Sequence, residues 1–159
     1  MKNKGRIICF DLHKSKLNLI QDSSKRLGID IIEAYEQDST KPYAGAPLNL
    51  RADVVLCDVP CSGLGVVSKK PEITYKTHDE ISKLPKLQYD ILSNCSNYVK
   101  PSGILVYSTC TLNKKENEEV IENFLNENKN FELSDKKIFF PFERKIDGFF
   151  LAKMKRLDV

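Results

Sequence analysis

The sequence predicts an α/β fold built on a mainly parallel, doubly wound sheet. Short apolar runs alternate with stretches of helical spacing along the 159 residues, the pattern of strands joined by crossover helices. Three of these runs deliver an aspartate at or just beyond their ends: Asp11, Asp38 and Asp58. Two runs carry a cysteine to their exits, in Asp58-Val-Pro60-Cys61-Ser-Gly63 and in Ser108-Thr109-Cys110-Thr111. Open α/β sheets bind ligands outside the carboxyl ends of their strands. Two thiols and a carboxylate are therefore expected on one cleft, a constellation suited to chemistry on a flat electrophilic ring.

The elements follow in order. Arg6 to Phe10 reads as a strand ending at Asp11, and Leu17, Ile20, Ser24 and Leu27 then recur at helical spacing before Gly28. Asp30 to Tyr35 is the second strand, and Pro42, Gly45 and Pro47 mark a loop. Asp53 to Cys57 is the third strand, and a long irregular stretch runs from Pro60 to Thr77. Ser82 is placed to cap the next helix, with Pro85 in its first turn and Leu84, Leu87, Ile91, Cys95 and Tyr98 as its apolar stripe. Pro101-Ser-Gly103 turns into a strand from Ile104 to Tyr107. Asn113 followed by Glu116 is a capping signal for a helix carrying Val120, Ile121, Phe124 and Leu125. Phe131, Ile138 to Phe140 and Phe149 to Leu151 predict a closing hairpin, which gives the sheet an antiparallel C-terminal edge strand.

Composition narrows the class. Hydrophobic content of 41% with 30% charged residues describes a globular chain, and its length suits one domain over residues 1–159. No apolar run approaches the ~20 residues that cross a bilayer. Met1 to Arg6 is polar and basic, unlike a secretory signal, so a cytoplasmic location is expected by default. Five cysteines, four of them in apolar segments, read as reduced thiols rather than a disulfide framework. Cys57 and Cys61 lack the second pair or the histidine that would complete a zinc site, so no metal is expected. A net charge of +3 is compatible with an RNA partner without arguing for one.

Each candidate has a plain reading beside the functional one. A lone aspartate after a strand is a turn former or a cap, whereas three in succession point to a nucleoside pocket. Cys9, Cys57 and Cys95 lie on apolar faces and read as packing. His13 and His78 read as surface or capping residues. Gly63-Leu-Gly65 lacks the third glycine of a dinucleotide fingerprint and is rejected as a phosphate loop. Lys16, about one turn beyond Asp11, reads as solvated. Lys69, Lys70 and Lys76, with Tyr75 among them, are either an RNA path or a solvated basic loop.

The Pro60-Cys61 and Thr109-Cys110 pair resembles the RNA cytosine-C5-methyltransferases, with the bacterial small-subunit ribosomal RNA enzymes of the RsmB, Sun and Fmu type nearest. Gly65-Val66, Pro71-Glu-Ile, Leu87-Gln88, the Gly103 to Cys110 run, Glu116-Asn117 and Asp147-Gly-Phe-Phe150 fall in the expected order, so the likeness runs from Gly5 to about Lys155. The resemblance implies a class I methyltransferase (Rossmann-like) fold, S-adenosylmethionine as cofactor and RNA as partner, ribosomal RNA before transfer RNA. It implies that Asp11 holds the donor's ribose and Asp38 its adenine amine, with Asp58 and Pro60 completing the cofactor set. It makes Cys110 the nucleophile, Cys61 the group assisting release, and Asp58 the acid facing the target base.

The likeness also sets an expectation about extent. The family's first strand, its glycine-rich loop and its N-terminal RNA-binding region find no match, so the chain is expected to be the C-terminal part of a catalytic domain. Such a piece is expected to bind S-adenosylmethionine weakly or not at all, to lack turnover, and to be prone to self-association through its incomplete sheet. The alternative is a non-catalytic α/β scaffold or partner-binding fragment. A more distant one is an amino-directed nucleic-acid methyltransferase, which uses Asp-Pro-type turns and needs no thiol.

Overall fold

The computed structural model describes residues 1–43, 51–144 and 146–158, so Gly45 and Pro47 of the expected loop lie outside the described residues. Within the 1–159 span the chain forms two compact units, Met1–Leu48 and Asn49–Val159.

The first unit is one strand–helix–strand repeat. Strand β1 (Ile7–Asp11) lies parallel to β2 (Ile32–Glu36), with Asp11 opposite Glu36. Helix α1 (Lys14–Arg26) joins them, and Gly28 at φ +63° makes the left-handed exit that follows it. Arg6 grips Glu33 in a two-pronged ion pair at 2.6 and 2.7 Å, and Tyr35 adds its hydroxyl to the same carboxylate. Phe10, Tyr35 and Tyr43 cluster with ring centroids 4.9–6.3 Å apart.

The second unit holds a four-stranded sheet of order β3–β4–β6–β5, from β3 (Ala52–Asp58), β4 (Val99–Thr109), β5 (Phe131–Phe139) and β6 (Phe149–Arg156). β3 and β4 are parallel, and β6 opposes both β4 and β5, so three strands run one way and one the other. The C-terminal antiparallel strand sits between β4 and β5, which leaves β5 at the edge. Among the described residues, β1 pairs only with β2, and β3 only with β4.

Helices α2 (His78–Ser82), α3 (Leu84–Ser96), α4 (Glu118–Glu127) and the short α5 (Pro141–Arg144) complete this unit. One sheet face contributes Cys57, Leu105, Tyr107, Phe150, Ala152 and Met154 to the core. Leu92 and Cys95 of α3 and Val120, Ile121 and Phe124 of α4 close over them. Burying a side chain of this size stabilises by roughly 1.5–3 kcal/mol, so this layer anchors the unit. On β3, Val54 and Leu56 point to the opposite face and stay 59% and 64% exposed.

Several local expectations need correction. Ser82 does not cap the long helix; it ends α2, whose N-terminus is closed by a reciprocal capping box of Thr77 and Glu80. The Pro101–Gly103 turn lies inside β4, where Ser102 takes φ +59° and the pairing with β3 slips between Ala52 and Val54. The irregular stretch after Pro60 contains a 3-10 turn over Pro71–Tyr75. Asn113 caps a 3-10 turn over Lys114–Glu116 rather than α4, and Glu116 is turned into the interior with no exposed surface. Its carboxylate is needed elsewhere.

Candidate active site

β3 and β4 run side by side and end together, with Asp58 opposite Ser108. The two cysteine turns leave from that common end. Pro60 turns the chain after β3, and Cys61 Sγ comes to 3.1 Å from Cys110 Sγ. Both thiols are half-buried. Ser108 donates its hydroxyl to Asp58 Oδ1 at 2.8 Å, which fixes one carboxylate oxygen of an otherwise exposed side chain.

A polar network holds the two turns. Ser62 N donates to Glu116 Oε2 at 2.8 Å, and the Ser62 and Thr111 hydroxyls meet at 2.8 Å. Gln88 Nε2 donates to Pro60 O at 2.9 Å and to Glu116 Oε2 at 3.0 Å. Asn113 Nδ2 donates to the other Glu116 oxygen at 2.9 Å, and the Tyr107 hydroxyl donates to Glu116 O at 2.5 Å. Asn117 straddles Cys110: its Oδ1 accepts from the Thr109 hydroxyl at 2.6 Å and its Nδ2 donates to Thr111 O at 2.9 Å. Gly65 N donates to Cys110 O at 3.0 Å, and Gly148 N donates to Gly65 O at 2.7 Å. Buried polar groups are costly unless partnered, and here they partner each other across the two loops, with Gln88 Oε1 left without a hydrogen bond.

The glycines of the first turn have steric rather than phosphate-binding reasons. Gly63 sits at φ +81°, and a Cβ on Gly65 would lie 2.1 Å from Gly148 O and 2.9 Å from Cys110 O. Burial, then the neighbouring Cys110 thiol, pushes the Cys61 thiol up to about 12. Cys61 therefore keeps its proton at neutral pH and can present it as an S–H donor to Cys110.

Asp11 and Asp38 belong to the first unit, where they leave neighbouring strand ends: Gln37 N donates to Asp11 O at 3.0 Å. Asp11 Oδ1 accepts from His13 N at 2.9 Å, and its Oδ2 lies 3.9 Å from Lys16 Nζ. Asp38 Oδ1 accepts from Thr40 N and Oγ1, and its Oδ2 pairs with Lys41 at 3.1 Å. The Thr40 hydroxyl and amide, then Lys41, hold the Asp38 carboxyl below its ordinary range. Both aspartates thus close local turns at the ends of their strands. Among the described residues, no cluster of three or more His, Cys, Asp or Glu side chains is arranged to hold a metal, and no helix is long and apolar enough to cross a membrane.

Two of the three lysines read as an RNA path have protein partners. Lys69 pairs with Asp147 at 2.7 Å, and Lys76 Nζ donates to Ser62 O at 2.9 Å and Cys61 O at 3.3 Å. Tyr75 between them is 85% exposed. Sequence reasoning missed Gln88, Glu116 and Asn117 as parts of the site. A signal existed for Gln88: it shares the face of Leu84, Ile91 and Cys95, where a polar residue is out of place.

Known proteins give this geometry a context. A probable ribosomal RNA small subunit methyltransferase B of Bacillus subtilis (strain 168) is 45% identical over 134 residues, covering 83% of this chain and 30% of that protein. A tRNA (cytosine(72)-C(5))-methyltransferase of Pyrococcus horikoshii is 30% identical over 171 residues, 99% of this chain and 42% of that protein. The crystal structure of NSun6 from Pyrococcus horikoshii with SFG superposes with a TM-score of 0.86 at 28% identity, over 99% of this chain and 43% of that one. The chain therefore spans 30–42% of the length of these curated relatives. The description of the 16S rRNA methyltransferase RsmB/F family matches residues 1–155, and the chain belongs to that family.

Proposed function

We propose that this chain carries the catalytic thiols of an S-adenosylmethionine-dependent RNA cytosine-C5-methyltransferase acting on small-subunit ribosomal RNA. The observation that supports it most is the 3.1 Å approach of Cys61 Sγ to Cys110 Sγ at the paired ends of β3 and β4. Bound S-adenosylmethionine supplies an electrophilic methyl group. Asp11 is the residue to hold its ribose and Asp38 its adenine amine, the latter on exchanging Lys41 for the ligand.

Carbon 5 of cytosine is a weak nucleophile. Addition of the Cys110 thiolate to carbon 6 forms an S–C bond and pushes the ring electrons onto carbon 5, splitting one difficult step into easier ones. Asp58 is the group to hydrogen-bond ring nitrogen 3 where charge gathers. After methylation a base takes the carbon 5 proton, the carbon 5–6 double bond re-forms and Cys110 leaves with its electron pair. Cys61 is that base once it has passed its own thiol proton to solvent, and burial favours its return to the protonated thiol as the cycle ends. The network around Ser62 and Thr111 keeps both sulfurs on one substrate ring.

The test uses RNA carrying 5-fluorocytosine, which blocks the final proton removal. It is applied to this chain and to a chimera in which the chain replaces the matching segment of the Bacillus subtilis relative. A denaturation-resistant RNA adduct is expected in the chimera, lost in Cys110→Ala. With ordinary RNA the adduct accumulates in Cys61→Ala. Methyl transfer surviving in Cys110→Ala would sink the reading in favour of amino-directed chemistry.

A further inference from the structure

One peptide unit in the second unit is gripped at both ends by side chains of opposite charge. The carbonyl of the Cys61–Ser62 peptide accepts from Lys76 Nζ at 3.3 Å, and its N–H donates to Glu116 Oε2 at 2.8 Å. Lys76 reaches on to Ser62 O at 2.9 Å. A peptide dipole is positive at N–H and negative at C=O. An ammonium at the oxygen and a carboxylate at the hydrogen both favour this orientation. Rotating the plane by half a turn would set the carbonyl oxygen against the carboxylate, so the alternative turn is closed off electrostatically.

The two grips differ in surroundings. Lys76 is exposed, and its hold is screened by water. Glu116 is fully buried and is itself aimed by Gln88 at 3.0 Å and Asn113 at 2.9 Å. It accepts three N–H bonds, so a glutamine there would turn its own N–H₂ toward at least one donor. Cys110 has separate supports, Asn117 on its two neighbours and Gly65 on its carbonyl. The charged grip acts on Cys61 alone.

We propose that Glu116 and Lys76 are positioning residues that fix the Cys61–Ser62 peptide and thereby hold the Cys61 sulfur against the Cys110 sulfur. Neither touches a reacting atom. The inference rests on reading Cys61 and Cys110 as the reacting pair, and it assigns both residues to the release step, where Cys61 acts.

The test reads thiol geometry in this chain directly. With oxidised glutathione at alkaline pH, the Cys110 thiolate displaces one glutathione thiolate, and the Cys61 sulfur, giving up its proton, then displaces the second, leaving one protein disulfide and two reduced glutathiones. The second displacement is fast only when the sulfurs are pre-aligned. Glu116→Gln is expected to slow cross-linking about tenfold or more, the scale of rate loss that accompanies ångström misplacement of reacting groups. Lys76→Met slows it by a smaller factor, and Lys76→Arg restores the rate. Cys57 and Cys95, deep in the core, report folding by staying unreactive to iodoacetamide. An unchanged rate in Glu116→Gln with those cysteines protected overturns the proposal. Should Glu116→Gln open the core instead, exposed Lys76 decides: an unchanged rate in Lys76→Met, or no recovery in Lys76→Arg, overturns it. Methyl transfer surviving Cys110→Ala in the chimera would remove the proposed function and leave this result standing.

Discussion

Cys57 and Cys61 follow one another across a single strand end, yet each finds a second cysteine in a different world. Cys57 points into the core beside Cys95, among Leu92, Val99 and Tyr107. A hydrogen bond from one buried thiol to the other, with burial second, drives the Cys57 pKa well up, while the same bond lowers that of Cys95. Cys61 leaves the sheet through Pro60 and meets Cys110 between two half-exposed loops tied by Ser62, Thr111, Glu116 and Asn117. In the first pair sulfur is a small hydrophobe. In the second it is presented to solvent by a frame of hydrogen-bonded polar groups. Proximity of two thiols does not distinguish a site from a core; access and the frame around them do.

The comparison can be broken most forcefully at Gly65. Gly65→Ala places a Cβ against two backbone oxygens, at 2.1 and 2.9 Å, neither of which can swing aside. A loss of about 3 kcal/mol is expected in urea unfolding, together with loss of glutathione-driven cross-linking between Cys61 and Cys110. A wild-type unfolding midpoint would mean that the two glycines do not touch.

A smaller effect separates the pairs by substitution to serine. Cys95→Ser buries a hydroxyl in the apolar layer and is expected to cost about 1–2 kcal/mol. Cys61→Ser, at the half-exposed loop, is expected to change stability by no more than ~0.5 kcal/mol while abolishing the cross-link. Equal costs for the two would erase the distinction.

The mildest probe is pH. The folded-state pKa of Cys61 is raised from an ordinary 9.0 to about 12, so the folded chain favours its protonated form. That share of stability is complete below pH 9.0 and is lost as pH climbs toward 12. Stability should decline through this range in the wild type and less steeply in Cys61→Ser. Alkylation of Cys61, followed by mass spectrometry, should stay slow at neutral pH and accelerate only in the alkaline range. Rapid alkylation at neutral pH would show that the thiol is not shielded.

What the sequence disclosed follows physical range. The strands of Ile7–Asp11 and Ala52–Asp58 were legible because apolar runs announce burial locally. The Pro-Cys and Thr-Cys turns were legible because strand ends in such sheets face one edge. Glu116 was not. Its spacing from Asn113 imitates a capping box, and only the tertiary fold shows that its carboxylate belongs to the Ser62 amide, far away in sequence. The helix break at Lys83 was hidden because Ser82 and Pro85 suit a start as well as a stop, while the stronger Thr77–Glu80 box lay just upstream. Asp11 and Asp38 were legible as strand-end acids, but their turn-closing bonds to His13 and Thr40 depend on backbone angles that spacing does not encode.

The contact between Gly65 and Gly148 has a consequence for synthesis. The carbonyl of Cys110 is seated by Gly65, and Gly65 by an amide at the threshold of β6. A nascent chain therefore holds both sulfurs well before Gly148, whose amide completes this line of contacts, has been added.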